Sequence, residues 1–101
     1  MIHHIVMWKL KDFAEGNFKN DNAKIIKQKL EELRIKIEVI KKLEVGINMS
    51  TSQYANFDIV LDSYFDSYEK MEIYQKHPLH IEVSDWIGKV RETRAAVDFE
   101  I

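Results

Sequence analysis

The stretch Ile2–Leu10, IHHIVMWKL, constrains this chain more than any other. It is rich in β-branched and aromatic residues and holds neither glycine nor proline, the pattern of a β-strand. Side chains alternate across a strand, so His4, Val6, Trp8 and Leu10 share one face while His3, Ile5, Met7 and Lys9 share the other. Large apolar groups stand on both faces. Such a strand needs cover above and below.

The remaining elements follow from local pattern. KDFAEGNFKNDN is a polar connection, with Asn20, Asp21 and Asn22 as candidate N-caps of a helix running to about Lys42. Ala23, Ile26, Leu30, Leu33, Ile37 and Ile40 recur at helical spacing as one apolar stripe, with Lys24, Lys27, Glu31, Arg34, Glu38 and Lys41 off it. KLEVGINM predicts a second strand, in which Gly46 marks a bulge or a close approach. NFDIVLDSY predicts a third, with Phe57, Ile59 and Leu61 on one face and Asp58, Val60 and Asp62 on the other.

DSYEKMEIYQ reads as a short helix capped by Asp66 or Ser67. It ends near His77, because the residue before a proline is pushed away from helical geometry. Pro78 suits the first position of the next helix, PLHIEVSDWIGKV, and TRAAVDFEI reads as a strand. The order is β-α-β-β-α-β, with the second helical segment broken at His77-Pro78. That is the ferredoxin-like arrangement, an α+β fold on an antiparallel sheet, expected as one domain over residues 1–101.

With both helical segments on one side, the other sheet face stays open. It would carry Ile5 and Met7, or Val6 and Trp8, depending on orientation. Contiguous apolar patches of that kind rarely stay exposed on a monomer, and a chain of 101 residues buries little core alone. The expectation is a homodimer, sheet face against sheet face.

Composition removes several classes of function. The formal net charge of -2 gives no basic field for nucleic acid or anionic membrane. An RNA-binding use of this fold needs basic and aromatic residues on the third strand, where Asp58 and Asp62 stand instead. The absence of cysteine removes disulfides, thiolate metal sites and thiol catalysis, and fits a reducing, cytoplasmic setting. No apolar run reaches membrane-spanning length, and MIHHIVMWKLKD lacks the basic start and small-residue cleavage site of a signal peptide.

The chain's four histidines fall into two groups, His3-His4 and the YQKHPLH segment. If Pro78 is the first helical residue, His80 lies in the first turn, where burial and the positive helix end both disfavour imidazolium. A neutral imidazole there is a proton acceptor, and Tyr74 just before the break offers a phenol to the same space. His4, Val6 and Trp8 are natural walls for a mostly apolar pocket, and Asp98 would orient a histidine if the last strand flanks the first. His77 reads as a cap or turn residue, and Tyr74 reads equally well as core packing. A metal site from His4, His77 and His80 is disfavoured. The His77/His80 pair spans the proline break, and no carboxylate stands at a familiar ligand spacing, so neither metal nor other cofactor is expected.

Taken together, HHIVMWKLKD, IEVIKKLEVGIN and FDSYEKMEIYQKHPLHIEVSD resemble the stress-responsive α/β-barrel domain, or Dabb, family across essentially the whole chain. The Tyr-x-x-His-Pro-x-His element from Tyr74 to His80 is the most specific part of that match. The resemblance implies a ferredoxin-like protomer in a dimeric α+β barrel, and some plant members are stress-associated. By likeness to a plant polyketide cyclase of the family, Tyr74 would polarise a carbonyl, His80 would be a general base and His4 would line the pocket. That likeness does not extend to the first helix, where Ile26, Lys27 and Leu30 replace the cyclase's aromatic stretch. Three functions follow: a homodimer binding a small organic ligand in a hydrophobic pocket, a cyclase, lyase or isomerase using His80 and Tyr74, and a dimeric-barrel monooxygenase.

Overall fold

A computed structural model describes residues 1–101. The strands β1 (Ile2–Leu10), β2 (Phe13–Ala14) and β3 (Asn17–Phe18) precede the helix α1 (Lys19–Lys36). β4 (Lys42–Ile47), β5 (Ile59–Phe65), α2 (Tyr68–Lys76), α3 (Pro78–Val90) and β6 (Arg91–Glu100) follow. β4, β5, β1 and β6 lie side by side in that order, all antiparallel, with β2 and β3 as a separate small hairpin. The fold is ferredoxin-like α+β.

β1 is an inner strand, and its alternation is visible in burial. His4, Val6, Trp8 and Leu10 are buried, whereas His3, Ile5 and Met7 are only half-covered. Ile59, Leu61, Ser63 and Phe65 of β5 and Leu43 and Val45 of β4 join the buried face. Ile26, Leu30 and Leu33 of α1, Met71 and Tyr74 of α2, and Ile87 and Val90 of α3 pack against it. On the other side, register places Ile5, Met7, Val60 and Val97 together, with Val97 and Phe99 exposed.

The entry to α1 differs from the sequence expectation. The helix begins at Lys19 behind Phe18, which makes no side-chain cap. Glu15 and Gly16 both take positive φ (50° and 79°), as the tight turn of the β2–β3 hairpin requires, and glycine adopts that conformation freely. Asn22 is fully buried and its amide donates to Ala14 O at 3.0 Å, so it ties the hairpin to the helix instead of capping. The helix also ends earlier than the stripe suggests. Ile37 is extended, while Ile37 and Ile40 stay buried in the connection to β4.

β4 stops at Ile47, β5 begins at Ile59 and β6 begins at Arg91, each a few residues from the expected bounds. Gly46 marks a close approach and not a bulge: β4 pairs with β5 in regular register, and a Cβ at Gly46 would sit 3.2 Å from Val60 Cγ1. No helix is long and apolar enough to cross a membrane.

Candidate functional site

The break between α2 and α3 sets the site's geometry. Ser67 caps α2, its hydroxyl accepting from Lys70 N at 3.2 Å. His77 leaves helical geometry with ψ 132° ahead of the proline, and its Nδ1 accepts from Leu79 N at 3.1 Å. His77 is therefore the N-cap of α3, Pro78 is its first residue, and His80 stands in its first turn.

His80 Nδ1 lies 3.1 Å from the backbone carbonyl of Gln75. A carbonyl only accepts, so Nδ1 carries the proton and Nε2 is left as the basic nitrogen of a neutral ring. Burial, aided by the charges of His4, Arg94 and His77, pushes its pKa below 6.5, against the opposing effect of the Gln75 carbonyl. Tyr74 packs on this ring, with centroids 4.3 Å apart. Its residue surface is 0% exposed and its hydroxyl has no hydrogen-bond partner. Burial raises the phenol's pKa well above its usual 10.0, so it remains a donor.

His4 comes to the same place from β1. It lies directly across from Asp98 on β6, and Nδ1 of His4 meets the Asp98 carboxylate. Its Nε2 faces the side-chain amide nitrogen of Gln75 at 3.3 Å. With Nδ1 donating to Asp98, Nε2 accepts from that amide. Gln75 thus touches both histidines, one through its side chain and the other through its backbone carbonyl. This bridging role had no sequence signal beyond its position inside YQKHPLH.

These groups border a cavity of about 360 Å³ between the sheet and α2–α3. Its buried walls are Val6, Trp8, Leu30, Leu61, Tyr74 and Ile87, with His4 among them. Ser84, Asp85, Gly88 and Arg94 form a more exposed rim, with Gln75, His80 and Arg91 between. The pocket expected to be hydrophobic is therefore amphipathic. Asp98 stands against His4 and is not among the residues that line the cavity. Open space adjoins Gly88, where a Cβ would meet nothing within 4 Å.

His3 is not part of this site. It points to the open sheet face, stacked on Tyr64 at 4.1 Å and paired with Asp62. No group of three or more His, Asp or Glu side chains is arranged to hold a metal ion.

A ferredoxin-like α+β sheet with a cavity under a broken helix is the class these features define. The chain belongs to the Dabb family, the Stress responsive A/B Barrel Domain, which matches it over residues 2–101. A dimeric protein of unknown function and ferredoxin-like fold from Bacteroides fragilis is 33% identical, with a TM-score of 0.81 over 99% of this chain and 95% of that one. A dimeric ferredoxin-like protein of unknown function from Thermobifida fusca is 23% identical, with a TM-score of 0.83 over 99% and 90% of the two chains. The hydroxynitrile lyase from Passiflora edulis is 16% identical, with a TM-score of 0.82 over 99% and 92%. At these last two identities the likeness is one of fold. No curated protein sequence matches the chain.

Proposed function

We propose that this chain is a homodimeric protein that binds a small organic ligand in the cavity between its sheet and α2–α3. The observation that carries this reading is the hydroxyl of Tyr74, fully buried beside an open cavity with nothing to donate to. An unpaired buried hydroxyl costs about 1–3 kcal/mol, which a ligand carbonyl or hydroxyl reaching it would offset. The cavity's 360 Å³ lies within the range of sites that hold small organic molecules. Support for the dimer comes from the open face around Ile5, Met7, Val97 and Phe99, and from the dimeric proteins of like fold.

Native mass spectrometry of the protein as isolated tests assembly and retained ligand together. A dimer carrying a small organic mass is expected, and a stable monomer at micromolar concentration overturns the assembly. Gly88→Phe, which fills the cavity from α3, is expected to abolish retention without loss of fold.

A second reading is favoured by the His80–Tyr74 arrangement. Nε2 of His80 is set as a base and Tyr74 as a fixed donor, the two groups needed to take a proton from carbon next to a carbonyl. The carbon–hydrogen bond would break to His80 as charge develops on the carbonyl oxygen held by Tyr74. This is the chemistry of a cyclase, lyase or isomerase. Solvent deuterium exchange into bound ketones, followed by NMR, tests it. Wild-type protein should accelerate exchange and His80→Ala should not. Ketones that bind without exchange would remove the catalytic reading and leave the binding one.

A further inference from the structure

Residues three apart on a regular strand face opposite sides of a sheet, so Arg91 and Arg94 would point away from each other. β6 is irregular at this point. Thr93 pairs with Lys9, but the next residue of β1, Leu10, pairs with Arg91, and Glu92 has no partner across the ladder. One extra residue shifts the alternation by one place, as bulges do when they re-aim a side chain. Arg94 is consequently opposite Trp8 and Arg91 opposite Leu10, both buried residues of the helix-covered face.

Both arginines then line the same cavity. Neither takes part in an ion pair or donates a side-chain hydrogen bond, although aspartates and glutamates are plentiful elsewhere on the molecule. Asp85 is the only carboxylate in the lining. Among these three residues of the lining, two guanidiniums stand against one carboxylate, an excess of one positive charge. Arg94 and Asp85 are exposed whereas Val6, Leu30 and Leu61 are buried, so the charge lies toward the mouth and the apolar walls lie within.

We propose that Arg91 and Arg94 clamp the carboxylate of a small amphipathic acid at the cavity mouth, with the acid's apolar body against Trp8 and Leu61. The planar fork of guanidinium donors matches a carboxylate in two-point contact, and one negative charge balances the lining. A phosphate dianion would exceed that balance beside Asp85. The inference rests on the reading of this cavity as a ligand site and adds the class of ligand to it.

Isothermal titration of the intact protein at neutral pH with hexanoate, octanoate and para-butylbenzoate, each beside its own alcohol, provides the test. The acids are expected to bind about tenfold more tightly than the alcohols, with the preference shrinking as salt is added. Arg91→Gln and Arg94→Gln should each remove most of the preference by weakening acid binding far more than alcohol binding, and Arg94→Lys should keep part of it. Circular dichroism checks that the variants fold. Equal binding of acid and alcohol by wild type, or an undiminished preference in the glutamine variants, overturns the clamp and leaves the ligand site standing. Failure of every acid and every alcohol to bind overturns both. Octyl phosphate binding more tightly than octanoate, and losing that advantage in the same variants, overturns the assignment to carboxylates.

Discussion

His3 and His4 are adjacent in sequence, and each meets an aspartate from a neighbouring strand, Asp62 of β5 and Asp98 of β6 respectively. The His4 side chain is 3% exposed, and its second ring nitrogen is taken by Gln75 under the helices. His3 leans on Tyr64 and Phe99 on the sheet's open side, where Asp62 remains 43% exposed. The same pair of residue types is thus used twice, and strand parity alone separates the uses. On one face the pair stiffens a cavity wall; on the other it sits in a surface that a second copy is proposed to cover.

Charging the open face should give the largest effect. Met7→Glu would bury one carboxylate from each protomer in an apolar seam, costing several kcal/mol. Light scattering should show a shift from dimer to monomer, with ligand binding in the helix-side cavity retained. Loss of both together would mean that the two faces are not independent.

Removing the histidines one at a time sharpens the contrast. His4→Ala leaves a cavity and strips Asp98 and Gln75 of their partner, a cost of roughly 2–4 kcal/mol in urea unfolding. His3→Ala should cost under about 1 kcal/mol within the protomer and appear mainly as weaker self-association. Equal costs would show that burial does not distinguish the pairs.

Tyr74→Phe should give a smaller effect of mixed sign. It removes an unpaired buried hydroxyl, so stability should hold or rise by up to about 1 kcal/mol while affinity for carbonyl-bearing ligands falls about tenfold.

The subtlest effect is the pH dependence carried by His80. Its pKa is lowered in the fold below the ordinary 6.5, so the unfolded chain binds the proton more readily. The neutral ring's stability contribution is complete above pH 6.5 and is lost as pH falls toward and through the lowered folded value. His80→Gln should therefore flatten the decline of stability below pH 6.5. A decline equally steep in the variant would place the acid sensitivity elsewhere.

Much of this was legible in the sequence because local physics carried it. Alternation in Ile2–Leu10 sorts the two faces, and Pro78 forces the helix break that separates Tyr74 from His80. The meeting of His4 with Asp98 was legible once the last strand was placed beside the first. The start of α1 was not. Polar residues before a helix look alike whether they cap it or, like Asn22, hold a hairpin whose Glu15-Gly16 turn lies upstream. Its end was hidden too, since the buried spacing of Ile37 and Ile40 continues through non-helical backbone. The arginines at the cavity mouth were out of reach for another reason. Their shared face depends on the bulge at Glu92, a register event between two strands that neither strand announces alone.

The inner position of β1 also has a consequence in time. Its neighbours are residues 59–65 and 91–100, and Ile2 bonds into the ladder opposite Glu100. As the chain is synthesised, β1 emerges before both of its partners and waits for them. Topologies dominated by such distant pairings close slowly and leave strand edges bare meanwhile. For this protein, the interval before β6 arrives is when chaperone capture or misassembly would compete with folding.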